Sequence, residues 1–302
     1  MAVITTGNHP KSLWPGVAAW FGRQYDEYEA QYTKLFDTET SEKNYEEDVQ
    51  VTGFGLASLK TEGAGITYDT ETQGFTKRYT NLTYASGYIV TREEMEDSQY
   101  ETVSKRRAQA LAFAARQTKE NVCANVYNRA FNTSYTGGDG KRWLTTDHPS
   151  IAGDWSNVLA TAADLSESSL EDMIIQIMGA TNDRGMRISL MPKTLIVHRN
   201  DMFNANRILK STLQNDTSNN AINALKATNA LPGGIVVNQY LTDSDAWFIR
   251  TNAPRGALYW QRRAYEFTQD NDFDTENAKA KFTERFSVGW TDPRSLFGSA
   301  GA

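Results

Sequence analysis

The alternation of apolar and polar residues predicts a long β-hairpin in the first third of the chain. Residues 49–59 and 74–90 are rich in Val, Thr, Tyr and Phe, and TEGAG and YDTETQG supply turn residues between them. A two-stranded ribbon alone is marginally stable in water. Few large apolar side chains lie between residues 60 and 78, namely Ile66, Tyr68 and Phe75. The tip is therefore predicted either to be disordered or to lie on another surface.

The pattern after the hairpin changes to that of a helix. Thr91 and Glu94 form a capping-box pattern, and neither Gly nor Pro interrupts residues 91–132. We expect a spine helix of about 60 Å. Two apolar strips predict that other parts of the protein pack against the helix from two sides. The first strip is Leu111, Ala115, Val122 and Val126, and the second is Phe113, Cys123, Tyr127 and Phe131.

An acidic segment precedes the hairpin. Nine carboxylates and two lysines occupy residues 24–50, and Tyr25, Tyr28 and Tyr32 recur at helical spacing. This pattern predicts an amphipathic helix followed by an acidic arm. Two interpretations remain open, a solvated helix on its own domain or a helix that docks on a neighbouring subunit.

Helical and strand patterns alternate after the sequence TGGDGK at residues 136–141. Helices are predicted over residues 166–178 and 201–212, and strands over 194–199, 234–241 and 246–251. Two long antiparallel strands, residues 257–267 and 278–290, close the chain. This alternation predicts a compact α/β or α+β unit, and the fold class of the whole chain is predicted to be α+β.

Composition narrows the classes of function. The 302 residues carry a formal net charge of -6, which argues against tight binding of nucleic acid through neutralised phosphates. A single cysteine, Cys123, gives no internal disulfide and fits a reducing cytoplasm. No run of 18 apolar residues is present, so no membrane partner is expected. Abundant Tyr, Trp and Phe suit wide protein interfaces as well as cores.

Two loop motifs resemble ligand sites only in part. Asp270, Asp272 and Asp274 have the spacing of a calcium loop, but the required glycine is replaced by Thr275 and the bidentate glutamate by Lys281. The sequence YTGGDGKRW lacks both the first glycine and the hydroxyl residue of a phosphate-binding loop. We expect neither a metal nor a cofactor, and interpret both segments as turns.

The sequence offers no catalytic constellation. His9, His148 and His198 are far apart in sequence, and no serine elbow is present. We expect His148 to cap a loop, with its ring oriented by Asp147, and Cys123 to be a buried thiol. The chain is therefore predicted not to be an enzyme.

The order of these elements resembles the major capsid proteins of tailed bacteriophages, which have the Hong Kong 97-type fold. YIVTREEMEDSQY and GDGKRWLTTDHPS are similar to stretches of Mu-like major head subunits. LMPKTLIVHRNDMFNANRIL, DSDAWFI and RFSVGWTDPRSLFGS are similar to later segments of related capsid proteins. The resemblance covers nearly the whole chain.

The resemblance implies a domain organisation. It comprises an N-terminal arm at residues 1–50, an extended hairpin loop at 51–90, the spine helix of a peripheral domain at 91–141, an axial domain at 142–251, and peripheral strands with the C-terminus at 252–302. In this family the hairpin, here roughly residues 54–84, reaches across a neighbouring subunit. The arm is expected to clasp an adjacent protomer.

The implied function is that of a major capsid protein whose pentamers and hexamers build an icosahedral shell around double-stranded DNA. Two alternatives remain: an encapsulin-like nanocompartment shell protein, which shares the fold, and a soluble ligand-binding protein or enzyme. Hypothetical inter-subunit contacts are Lys60, Glu62, Asp69, Glu71, Lys77 and Arg78 in the hairpin, and Tyr25, Tyr28 and Tyr32 in the arm.

The resemblance also implies partners. Because about fifty residues precede the hairpin, too few for a fused scaffolding domain, we expect a separately encoded scaffold protein. A portal protein and a decoration protein complete the expected set, with packaged DNA only weakly contacted. Assembly is expected in the cytoplasm of a bacterial host, giving a virion capsid. Lys60 and Lys77 are positioned as candidates for crosslinking, but we predict no crosslink.

Overall fold

The computed structural model describes residues 29–97, 100–214, 221–272 and 274–302, without the side chains of residues 95–105. Within these residues the strands are β1 (Asp37–Thr40), β2 (Tyr45–Thr52), β3 (Thr72–Thr80), β4 (Leu82–Val90), β5 (Pro192–His198), β6 (Ile235–Asn238), β7 (Trp247–Thr251), β8 (Ala257–Asn271), β9 (Ala278–Trp290) and β10 (Leu296–Ser299). The α-helices are α1 (Tyr32–Leu35), α2 (Arg92–Asp97), α3 (Tyr100–Asn128), α4 (Glu167–Met178), α5 (Met202–Lys210) and α6 (Ala224–Ala227). The α+β prediction is confirmed.

The long strands β8 and β9 form the centre of a four-stranded sheet with the order β1-β8-β9-β4. Their antiparallel pairing confirms the predicted pair of long strands. Strand β4 was expected to continue the hairpin, but it pairs with β9 instead, from Leu82 opposite Phe286 to Val90 opposite Ala278. The single strand predicted over residues 74–90 is therefore wrong.

Asn81 is the joint at which the chain leaves the ribbon. Its buried amide nitrogen donates hydrogen bonds of 3.0 Å to Ser41 Oγ and to the Lys43 carbonyl. Its amide oxygen accepts one of 3.1 Å from Ser287 Oγ. These bonds hold the chain between β3 and β4, so the ribbon and the peripheral sheet become separate elements. Apolar periodicity carries no information about such a polar joint.

The spine is helical over Arg92–Asp97 and Tyr100–Asn128, so the described helix ends four residues before the predicted end at Asn132. The Thr91 hydroxyl accepts a hydrogen bond of 3.3 Å from the Glu94 amide, which confirms the predicted cap. Helix α3 has 29 residues and spans about 44 Å. Leu111 and Ala115 belong to one apolar cluster, whereas Val122 and Val126, expected beside them, pack with Cys123 and Tyr127 in another. Phe113, expected in the second strip, is instead 44% exposed.

The second sheet has the order β10-β7-β5-β6 and carries α4 and α5. Ser166 caps α4, as the predicted helix over residues 166–178 requires. Strand β10 pairs with β7, so the last strand lies in the second sheet. It is therefore separated from the long strands β8 and β9, with which residues 252–302 were expected to group, because a turn at Pro293–Ser295 redirects the chain.

A shared core joins the two units around Tyr127. The Tyr127 ring lies 5.1 Å from that of Trp143 and 5.6 Å from those of Phe36 and Phe248. Its hydroxyl donates a hydrogen bond of 2.8 Å to the Leu35 carbonyl. The spine, the arm and the axial sheet thus meet at one buried ring, which fixes their relative positions.

The described part of the acidic arm begins at residue 29, so the start of the predicted helix, with Tyr25 and Tyr28, lies outside it. Within the described residues the only helical turn of this segment is α1, and the chain then forms β1 and β2. Tyr32 is 8% exposed and its ring lies 4.9 Å from that of Tyr259. The described end of the predicted helix is therefore one turn that packs on its own core. None of the helices in the described ranges is long and apolar enough to cross a bilayer.

Candidate inter-subunit surfaces

The base of the β2–β3 ribbon is bonded to the peripheral sheet through Asp48. The buried carboxylate of Asp48 accepts hydrogen bonds of 2.9 Å from Arg255 Nε and 2.8 Å from Thr291 Oγ1. Tyr79, on the facing strand β3, has its hydroxyl 2.6 Å from the same Thr291 oxygen. Because Thr291 donates its proton to Asp48, Tyr79 donates to Thr291. This chain of bonds couples both ribbon strands to the end of β9.

The Tyr79 ring also packs against a glycine in β9. A Cβ atom added to Gly289 would lie 3.0 Å from Tyr79 Cε1, so a larger residue would displace the ring. Tyr79 is almost fully buried, and its ring centroid lies 6.3 Å from that of Trp260. Burial raises the pKa of Tyr79 well above its usual value, so the hydroxyl remains a donor at physiological pH. The ribbon therefore leaves the sheet at a defined angle.

A second set of bonds ties the ribbon to the axial unit. Gln50 Nε2 donates a hydrogen bond of 2.6 Å to Asp183 Oδ2. Asp183 Oδ1 in turn accepts one of 2.8 Å from Arg294, which is buried. The ribbon base is thus fixed to both units of its own subunit.

The neck of the ribbon is closed by Asp69. Its carboxylate accepts hydrogen bonds of 2.7 Å from the Gly55 amide and 2.8 Å from the Thr70 amide. Arg184 Nη1 lies 2.9 and 3.1 Å from the two carboxylate oxygens. The backbone N–H groups of Gly55 and Thr70, together with Arg184, hold the pKa of Asp69 below its usual range. The neck is therefore closed by an ionised carboxylate.

Beyond the base, the ribbon exposes apolar surface. Every residue from 53 to 73 is exposed, and residues 53–71 form no strand. Leu59 is 94% and Leu56 86% exposed. Nine of the 20 exposed large apolar residues in the described part of the chain lie in or beside the ribbon: Tyr45, Val49, Val51, Phe54, Leu56, Leu59, Ile66, Tyr68 and Phe75. Such a concentration is typical of an interaction surface.

The hairpin residues singled out in the sequence occupy three different environments. Lys60 and Glu62 are exposed on the tip, and Glu71 is exposed between the neck and β3. Asp69 closes the neck. Arg78 forms a salt bridge with Glu47 on the facing strand.

Lys77 and the tyrosines of the arm are placed differently. Lys77 Nζ donates a hydrogen bond of 3.0 Å to the Thr136 carbonyl and lies 5.0 Å from the centre of the Trp290 ring. Tyr32 lies in the core of its own subunit, so it offers little surface to a neighbour. Tyr25 and Tyr28 lie outside the described residues.

The point at which the arm joins the body is set by Glu120 on the spine. Its buried carboxylate accepts hydrogen bonds of 2.9 Å from the Gln31 amide and 3.0 Å from the Tyr32 amide. Arg116 lies one turn earlier, with its Nε 3.7 Å from Glu120 Oε1. Burial raises the pKa of Glu120 despite these partners.

Lys119, next to Glu120, forms a buried ion pair with Glu284 of β9. The anchor therefore consists of charged side chains inside an apolar core. Charged residues on a helix suggest solvent exposure when they are read from sequence alone, so this anchor was not predicted.

The residues considered for chemistry have structural roles. His148 Nδ1 lies 2.7 Å from Asp139 Oδ2, and its ring stacks on Trp155 at 4.7 Å. The predicted partner, Asp147, is wrong, because Asp147 forms a salt bridge with Lys141. Burial raises the pKa of the Cys123 thiol well above its usual value. Within the described ranges no group of three or more His, Cys, Asp or Glu residues could hold a metal ion.

Comparison with solved structures identifies the same architecture in viral shells. The capsid of a native GTA particle has a TM-score of 0.56 at 12% identity, covering 91% of this chain and 92% of that one. The chain from Mycobacterium phage Patience has a TM-score of 0.55 at 13% identity, covering 98% and 88%. The procapsid of bacteriophage JBD30 has a TM-score of 0.52 at 13% identity, covering 98% and 76%. These neighbours share the Hong Kong 97-type capsid fold with this chain.

The sequence itself matches a protein family. No curated protein is detectably similar to the chain. The family model for phage capsid protein, however, matches residues 74–298, which run from the ribbon base to the last strand. The chain therefore belongs to the phage capsid protein family.

Proposed function

We propose that this phage capsid protein is the major head subunit, and that its pentamers and hexamers build an icosahedral shell around double-stranded DNA. Family membership supports a structural, shell-forming role. The observation that carries the proposal is the exposed apolar tip of the ribbon, which its own subunit leaves uncovered. A second copy of the chain is the proposed partner for this tip.

The energetics of the tip favour association. Burying a Leu, Ile or similar side chain contributes about 1.5–3 kcal/mol. Leu56, Leu59, Ile66 and Tyr68 extend beyond the neck, so burial of this group against a neighbour would stabilise each contact by several such amounts. Repetition around a closed shell multiplies the effect through avidity.

The ribbon combines a fixed base with an adaptable tip. The bonds of Asp48, Gln50 and Asp69 set its direction from the body. Beyond the neck, Gly63 has a φ of 79°, which is the left-handed conformation that glycine adopts without strain. Pentamers and hexamers need the same contact at slightly different angles. A ribbon with a fixed base and a short adaptable tip keeps the same contact and also allows its angle to vary.

The net charge of -6 fits a container for DNA more than a DNA-binding protein. A wall of net negative charge would repel the packaged duplex instead of adsorbing it. We therefore propose that DNA is contacted weakly and that binding falls steeply with salt.

The remaining proposed partners are a separate scaffold protein, a portal protein and a decoration protein, with assembly in the bacterial cytoplasm. A covalent crosslink is not proposed, because Lys77 is held by Thr136 and Trp290 of its own subunit and only Lys60 is freely displayed. The phage capsid family match disfavours the nanocompartment alternative.

Assembly of a tip variant tests the proposal. Wild-type protein and L56S/L59S are expressed with the neighbouring head genes and compared by sedimentation and negative-stain microscopy. Wild type is expected to form closed shells, whereas L56S/L59S, whose substitutions touch no core residue, is expected to remain as folded small species. A wild-type protein that never exceeds a few subunits would refute the proposal. So would L56S/L59S shells formed in normal yield.

A further inference from the structure

Strand β4 forms an open edge of the four-stranded peripheral sheet. It pairs with β9 along its whole length, from Leu82 to Val90, without a shift of register. No other strand in the described residues pairs with it. About half of the N–H and C=O groups of such a strand point away from its partner, and Ala85, Ser86 and Gly87 in its middle are exposed. The edge therefore has both the room and the bonding groups for one more strand.

The sequence of β4 does nothing to protect this edge. Folded proteins commonly shield an edge strand with charged side chains, proline, a bulge or short length. The nine residues of β4, LTYASGYIV, include neither a charge nor a proline. The other five sheet edges in the described ranges are shielded, because β1, β6 and β10 have only four residues each and β2 and β3 carry charges. A long uncharged edge is a template for pairing with another chain.

The side chains of β4 are symmetrical in class about Ser86. Outward from Ser86, the matched positions are small, aromatic, β-branched and aliphatic in turn: Ala85 and Gly87, Tyr84 and Tyr88, Thr83 and Ile89, and Leu82 and Val90. Two antiparallel copies of the strand, with their Ser86 residues opposite each other, therefore place each side chain against one of similar class. Aromatic pairs directly opposite each other stabilise a sheet, and the absence of charge means that no like charges meet.

We propose that β4 pairs with β4 of a second copy of the chain, antiparallel and centred on Ser86, so that two four-stranded sheets join into one of eight strands. Two identical antiparallel strands are related by a two-fold axis, and the same patch of each copy forms the contact. An icosahedral shell contains two-fold axes. The proposal rests on the self-assembly proposed above and names one contact within it.

The packing of β4 inside its own subunit is compatible with this pairing. The Tyr84 ring stacks on that of Phe286 at 4.6 Å, and Tyr84 and Tyr88 both pack against the apolar clusters that contain the spine. The side chains of Thr83 and Ile89 alternate with them and point to the opposite face. A strand added at the edge lies in the plane of the sheet, so it leaves these contacts in place.

A disulfide at the two-fold axis tests the pairing. Directly opposite residues of an antiparallel pair have Cα atoms about 4.5–5.5 Å apart, within the range of about 4.4–6.8 Å that a disulfide allows. Shells of S86C, assembled from reduced subunits and then oxidised, are expected to give mostly covalent dimers on a denaturing gel without reductant. The native cysteine, Cys123, is fully buried and does not interfere.

The matched control is T83C, which lies on the same strand and is also exposed. In the proposed register the two copies of residue 83 are six residues apart along the pair, about 20 Å, so T83C is expected to remain monomeric on the gel. Residues 83 and 89 face each other, so T83C/I89C is expected to form dimers again. Equal crosslinking of S86C and T83C would overturn the register.

Charge at the axis gives a second readout. S86K alone and S86E alone each place like charges opposite each other and are expected to lower the yield of shells several-fold. An equal mixture of the two is expected to recover most of the yield, because opposite charges then pair across the axis. A mixture that assembles no better than either variant alone would overturn the pairing.

These outcomes separate the contact from the function. Wild-type shells combined with S86C shells that yield no covalent dimer would overturn the edge pairing alone, as they would if a strand of a different protein covered β4. Absence of wild-type shells would count against the proposed function, while oxidation of concentrated S86C subunits would still decide the pairing.

Discussion

Thr291 donates a hydrogen bond of 2.8 Å to Asp48, and this bond joins the base of the ribbon to the end of the longest hairpin in the fold. The same carboxylate binds Arg255 of the loop before β8. A single buried side chain thus receives bonds from both ends of the β8–β9 hairpin. The direction in which the ribbon leaves the subunit depends on it.

Replacing Asp48 should therefore destabilise the subunit. D48A removes the buried acceptor that Arg255 and Thr291 share, and a hydrogen bond to a charged group contributes about 1.5–3 kcal/mol. Urea denaturation of the unassembled subunit measures this change in the free energy of unfolding. E47A, one residue earlier on the exposed face, removes only a surface pair with Arg78 and should cost less than about 1 kcal/mol. Equal losses for the two variants would show that Asp48 has no special role.

Glu120 should anchor the arm through its oxygen atoms more than through its charge. E120A leaves the Gln31 and Tyr32 amides without their acceptor and should lower the free energy of unfolding by about 1–3 kcal/mol. E120Q keeps an acceptor oxygen and should lose less. The comparison is made by thermal and chemical denaturation near neutral pH, and a larger loss for E120Q than for E120A would contradict the assignment.

The raised pKa of Glu120 also predicts a pH dependence. A carboxyl that binds its proton more tightly in the folded state contributes most below its usual pKa of 4.5, and the contribution falls as pH rises through the folded-state value. E120Q cannot titrate. Its stability should therefore decline less than that of wild type between pH 4.5 and 7, and identical pH profiles would count against a raised pKa.

The two aspartates near His148 should differ in importance. D139A removes the buried partner of the imidazole and should cost about 1–3 kcal/mol. D147A affects a more exposed pair with Lys141 and should cost less than about 1 kcal/mol. Denaturation of both variants provides the measurement. A larger loss of stability from the Asp147 substitution than from the Asp139 substitution would instead support Asp147 as the partner of His148, as the sequence suggests.

The neck of the ribbon should depend on the charge of Asp69. Because the pKa of Asp69 is lowered, its contribution is fully present above the usual value of 3.8 and is lost only as pH falls through the folded-state value. A spin label on A57C reports tip mobility, since Cys123 is buried and its thiol pKa is raised. The mobility of the label should be constant from pH 7 to 4 in the protein that retains Asp69. It should be higher over the same pH range in D69N. A transition near pH 6, or no effect of D69N, would contradict this assignment.

Sequence reasoning succeeded where one period dominates a long segment. The capping pattern at Thr91, helix α4 and the strands β8 and β9 all follow from apolar spacing and local turn chemistry. It failed where a polar side chain redirects the chain. Asn81 separates β3 from β4, and the turn at Pro293–Ser295 carries the C-terminus into the axial sheet.

The exposed apolar surface of the ribbon was predictable in part from the spacing of apolar residues. The scarcity of apolar partners in the hairpin indicated a limb that its own domain does not cover, and the exposed tip agrees. Which charges remain displayed was not predictable, since Asp69 and Lys77 bind groups far away in sequence. Asp48, Glu120 and Arg184 were overlooked because a charged residue in an exposed pattern gives no sign that tertiary packing will enclose it.

The most direct test of the account asks what the tip touches. A photocrosslinking amino acid is placed at Leu59, and shells are assembled from an equal mixture of ¹⁴N- and ¹⁵N-labelled subunits. Crosslinked peptides identified by mass spectrometry should include mixed-isotope pairs, because the tip lies on another copy. Crosslinks confined to a single isotope, and therefore to the same chain, would contradict the central claim.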